Sequence, residues 1–137
     1  MAASNKPVFP QSGRTVSAVA TAAKTTYNDS TGAVKLCDAG PNGSMLKGLY
    51  GIPRATLAST NQLMVFISPD DGVTMNLQDS ALMAAHTVTA TTRIPTTDFA
   101  KPTEETPIYA EPGDSFWVAM GVALTAGVVF NGRVEDL

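Results

Sequence analysis

Short apolar runs recur along the chain, each closed by a cluster of Gly, Pro, Asn or Asp. This is the punctuation of strands and turns rather than of helices. The clearest run is 62–68, a short apolar strand closed by Pro69, Asp70, Asp71 and Gly72, which predicts a hairpin. Val73, Met75 and Leu77 answer it at period two and predict the returning strand. Further back, 15–23 is Thr-rich with Val16 and Ala18 on one strand face, and 33–37 is a short strand before the turn signal of 38–43. Residues 44–57 read as a strand pair or one bent strand, since Gly48, Gly51 and Pro53 would kink or bulge it. Segment 80–86 fits either a helical turn or a strand end.

Residues 87–107 hold eight Thr and three Pro and read as a strand followed by a long loop, the kind of segment in which contacts are often made. Closing strands follow at 108–110, 115–120 and 128–134, with Glu111 to Asp114 as a turn. About eight short strands between turn signals predict an all-β fold, an antiparallel β-sandwich of jelly-roll type. Pro7, Pro10 and Gly13 around an isolated Val8–Phe9 pair make residues 1–13 an extended N-terminal arm, leaving 14–137 as the sandwich.

Composition sharpens the picture. Charged residues are 15% of the chain against about 25% in an average soluble protein, so Thr, Ser, Asn and Ala must form much of the surface, which suits packing against neighbours. A net charge of −3 without a Lys/Arg cluster disfavours nucleic acid as partner. Charge is uneven along the chain: 1–68 carry six basic and two acidic side chains, 69–137 three basic and ten acidic. Unlike patches of this kind attract one another between neighbouring copies. No apolar stretch reaches membrane-spanning length, and the start lacks the order of a secretory signal, so the expected place of synthesis is a cytoplasm.

Candidate chemistry is sparse. His86 is the one histidine, and no nucleophile elbow, phosphate loop or zinc-protease motif accompanies it. Asp70, Asp71 and Asp79 lack the alternating spacing of a calcium loop, and Glu104, Glu105 and Glu111 read as loop charges rather than a glycosidase pair. The expectation is therefore no enzyme, no cofactor and no metal. Tyr27, Tyr50, Tyr109 and Trp117 would form a sugar platform only if one face held them, and Trp117, inside an apolar run, reads as core. Cys37, the single cysteine, excludes an internal disulfide but leaves a thiol bridge between copies open. Val8, Phe9 and Phe99 are the candidate subunit contacts, since each stands in a Pro-bearing segment with poor core periodicity.

One resemblance rests on several segments in order: 52–55 (Ile-Pro-Arg-Ala), 63–72, 79–85, 92–96 (Thr-Arg-Ile-Pro-Thr), 111–114 (Glu-Pro-Gly-Asp) and 121–127. The stretch from Gly48 to Phe130, about 60% of the chain, resembles small β-sandwich virion proteins of tailed bacteriophages and prophages. The resemblance implies a structural virion protein on the capsid surface, a head-decoration or capsid-stabilising protein. Its partners would be the major capsid protein and further copies of itself, with a trimer favoured. No catalytic residue is carried over. The alternative is a tail or fibre component that binds a host receptor or glycan.

Overall fold

The structure, a computed structural model, describes residues 12–137. It contains nine strands: β1 (Ser12–Ala20), β2 (Val34–Asp38), β3 (Ser44–Pro53), β4 (Asn61–Ser68), β5 (Asn76–Met83), β6 (Thr97–Asp98), β7 (Ile108–Ala110), β8 (Ser115–Met120) and β9 (Val128–Asp136). All strand pairings are antiparallel.

The pairings nest. β4 pairs β5 across the 69–75 connection, β3 pairs β6 and β7, β2 pairs β8, and β1 pairs β9. The chain is thus one long hairpin, and rolling it up brings β9 beside β3 and β8 beside β4. Two sheets result, β1-β9-β3-β6 with β7 also on β3, and β2-β8-β4-β5. With β6 and β7 counted as one interrupted strand, this is the eight-stranded double Greek key of a jelly roll, as the turn spacing predicts.

Inner faces meet in a core that includes Leu46, Leu63, Val65, Phe116, Val118, Phe130 and Val134. Burying each phenylalanine contributes roughly 1.5–3 kcal/mol. Phe99 also lies here, 3% exposed, its ring centroid 6.3 Å from that of Phe130. This corrects its assignment as a contact to neighbouring subunits: the residue is isolated in sequence, but β6 delivers it between the sheets. Gly51 leaves room for this core, since a Cβ there would stand 2.5 Å from Leu63 Cδ1 and force that side chain to shift.

β4 and β8 are apolar on both faces, and a second cluster of Met64, Phe66, Met75 and Ala119 lies outside the four-stranded sheet. Trp117 packs there, half-buried, rather than in the main core where its apolar run placed it. Strand alternation explains this: Phe116 and Val118 take the inner face, leaving Trp117 and Ala119 the outer one. The β1–β2 connection covers this cluster. Lys24 lies 2% exposed within it, donating from Nζ to the carbonyls of Asp29 (2.6 Å) and Thr31 (2.9 Å), 5.4 Å from the Phe66 ring centroid. Buried ammonium groups are tolerated only when bonded in this way.

The hairpin after β4 is longer than the sequence suggests. Ser68 Oγ accepts from Gly72 N, and Asp70 from Thr74 N, extending the turn so that β5 begins at Asn76 and runs through Ser80–Met83. Met75 turns into the outer cluster while Val73 is left 74% exposed, so the expected strand over 73–77 does not form as a unit. Similarly, β1 begins at Ser12, so residues 12 and 13 of the expected arm belong to the sheet.

Lys24→Ala is expected to lower unfolding free energy by about 2–4 kcal/mol, through lost packing and stranded carbonyls. Lys24→Met, which keeps the stem, should lose less. Equilibrium urea unfolding checks both, and a change under about 0.5 kcal/mol for the alanine variant would contradict the role given to Lys24.

Candidate interaction site

The jelly roll sorts its connections between two ends, and the ends differ in chemistry. One end gathers 54–60, 84–96 and 121–127, with Thr21 at the start of the β1–β2 connection, which then crosses the outer face of the four-stranded sheet to meet the 69–75 turn through Asn28 and Met75. Ala, Thr and Ser supply 16 of the 27 residues in 54–60, 84–96 and 121–127. The charged side chains among these 27 are two, Arg54 and Arg93. Main-chain bonds tie the loops together, Leu57 to His86 in both directions, Arg54 N to Gly127 O, and Leu124 N to Thr21 O. Threonine hydroxyls add to this: Thr56 Oγ1 accepts from Val88 N, and Thr89 bonds Thr92. The result is an ordered, nearly uncharged surface of small side chains.

The opposite end carries 39–43, 69–75 and 111–114 with the adjoining strand ends. Asp38, Asp70, Asp71, Glu111, Asp114 and Asp136 lie there. Two basic side chains oppose them: Lys35 bridges Asp38 and Asp71, and Arg14 holds Asp136 at 3.0 Å. The Lys35 pKa is raised, chiefly by its hydrogen bond to Asp71 and then by that to Asp38. Asp70 lies below its ordinary range because Thr74 N–H donates to it. Acidic side chains thus concentrate at this end, although Arg14, Lys35 and Asp38 there come from the first half of the sequence and Arg93 of the opposite end from the second.

A third feature is a groove of about 650 Å3 on the outer face of the five-stranded sheet. Its floor is β1, β9 and β3, and its wall is the segment after β6, which carries Pro102, Thr103 and Glu104. Phe99 in the core and bonds from Thr106 to Thr103 and Lys101 hold the wall in place. Lys47 bridges Glu135 (2.9 Å) and Glu104 (3.6 Å), and Arg133 meets Glu104 at 3.2 Å.

The residues singled out in the sequence are scattered. Val8 and Phe9 lie outside the described residues. Cys37 sits at the acidic end and His86 among the uncharged loops, so they share no site. Cys37 is 8% exposed, and burial pushes its thiol up to about 11. A bridge between copies, which the sequence leaves open, would require this strand to open. Asp79 accepts the amides of Ala100 and Lys101 and is not with Asp70 and Asp71. Among the described residues no group of three or more His, Cys, Asp or Glu is placed to hold a metal ion. Tyr50 lies on the groove, whereas Trp117 is on the other sheet, so the four aromatic residues form no common platform. Comparison with protein-family models, with curated proteins and with solved structures returns no match.

Cys37 is expected to resist thiol reagents at pH 8 and to react only as fast as the fold opens, because the thiolate is the reactive form. Between pH 9 and 11 the unfolded chain loses this proton while the folded one keeps it, so Cys37 makes stability fall as pH rises through that window. Ellman titration with and without denaturant checks the first, and comparison of wild type with Cys37→Ala across that window the second. Fast labelling of the folded protein would contradict both.

Proposed function

We propose that this chain is a structural protein of a bacteriophage virion, which binds capsid subunits and neighbouring copies of itself through the uncharged end of its jelly roll. The observation that carries the reading is the sorting of charge between the two ends. Burying a charged side chain without a partner is costly, and interface cores are depleted in charge. A surface of Ala, Thr and Ser with two basic side chains sheds water cheaply. The acidic end, left outward, keeps the decorated particle soluble by mutual repulsion.

The mechanism is repetition. Each copy adds a modest contact, and copies joined as a homo-oligomer, with a trimer favoured, engage the shell with avidity. The resemblance of the Gly48–Phe130 stretch to phage virion proteins supports the capsid surface as the place of action and the major capsid protein as the partner. Val8 and Phe9 are assigned a supporting role as contacts to a neighbour.

Purified protein should co-sediment saturably with undecorated phage capsids, and light scattering should give the mass of an oligomer. Introducing a charge at the uncharged end, as in Thr91→Glu or Ala123→Glu, should weaken binding at least about tenfold, while Glu111→Gln at the acidic end should leave it unchanged. Deletion of residues 1–11 should lower capsid occupancy. Binding insensitive to both charge insertions, or no binding by well-folded protein, would overturn the reading.

A further inference from the structure

The strand register aligns four polar or aromatic side chains on four adjacent strands. Ser17 of β1 stands opposite Asn131 of β9, Asn131 opposite Tyr50 of β3, and Tyr50 opposite Asp98 of β6. All four line the groove on the outer face of the five-stranded sheet. With neighbouring strands about 4.8 Å apart, the row spans about 14 Å, longer than a single sugar ring. We propose that this row is a carbohydrate-binding site, distinct from the capsid-docking end.

The chemistry of the row fits a sugar better than other ligands. A sugar offers hydroxyls that both donate and accept, together with flat patches of C–H. Asn131 accepts at Oδ1 from Ser17 Oγ (2.7 Å), which fixes the amide and leaves its N–H2 group to donate. Asp98 is exposed and, among the described residues, its carboxylate has no hydrogen-bond partner, so it can accept from hydroxyls. Tyr50 lies between them, 38% exposed, and offers an aromatic face for C–H groups together with a hydroxyl.

The neighbouring row explains why the groove exists. Arg133 stands opposite both Thr15 and Gly48. A Cβ at Gly48 would find nothing nearer than Arg133 Cβ at 3.9 Å, so glycine leaves the floor open where any side chain would project into the groove. Lys47 and Arg133 are already engaged by Glu104 and Glu135, so among the described residues the groove has no concentrated positive charge for a phosphate or nucleic acid. Its volume lies within the roughly 300–1,000 Å3 of ordinary ligand sites, and the pinned wall lowers the ordering cost of binding.

The test uses full-length protein on an array of neutral and acidic oligosaccharides, followed by titration of the strongest as free sugar, read by amide chemical shifts. Shifts should concentrate on residues of the groove. Tyr50→Ala and Asp98→Asn should each weaken binding at least about tenfold, and Gly48→Val should abolish it, all with unchanged melting temperature. Capsid co-sedimentation of the same variants should be unaltered, which separates this site from the docking end. No saccharide bound at millimolar concentration, shifts centred elsewhere, or binding that survives Gly48→Val in a folded protein would overturn the proposal.

Discussion

The constraint on which the rest of the structure depends is that β4 and β8 are apolar on both faces. One sheet can cover only one face, so the other requires a second lid. The β1–β2 connection provides it, and Lys24 fastens it by placing an ammonium among Phe66 and the carbonyls of Asp29 and Thr31. This connection is spent on the four-stranded sheet, and among the described residues no equivalent segment lies over β1 and β9. The two sheets therefore end with different outer faces, one sealed and one an open polar groove.

The same rolled hairpin sorts the loops. Alternate connections must emerge at opposite ends, so a chain that places its Thr- and Ala-rich segments in alternate connections gathers them on one surface. Acidic turns such as 69–72 and 111–114 fall at the other. The molecule thus separates three surfaces with different chemistry: an uncharged end, an acidic end and a polar sheet face. Such separation lets one small fold dock to a surface while keeping other faces for solvent or ligand.

Much of the fold was legible in the residues. The runs at 62–68, 108–110 and 115–120 correspond closely to β4, β7 and β8, because apolar strands between Gly, Pro and Asp turns carry their own boundaries. The β-sandwich architecture followed from strand number and turn spacing, whereas the strand order of each sheet is set by pairings between distant segments. What escaped depended on distant partners. Phe99 stands alone in a Thr/Pro segment without periodic neighbours, so nothing local marks it as core. Lys24 belongs to a residue type almost never fully buried, and its burial is set by Phe66, far along the chain. Trp117 lies in an unbroken apolar run, in which alternation cannot say which face is inner. The groove row joins positions 17, 50, 98 and 131, a juxtaposition that only strand register creates.

The most direct test of the account is the orientation of the protein on a decorated shell, seen by cryo-electron microscopy of capsids saturated with it. Segments 54–60, 84–96 and 121–127 should lie against the capsid subunits, with Asp70, Asp71 and Glu111 pointing to solvent. An arrangement in which the acidic turns or the outer face of the four-stranded sheet meet the shell would contradict the claim that charge sorting defines the docking end.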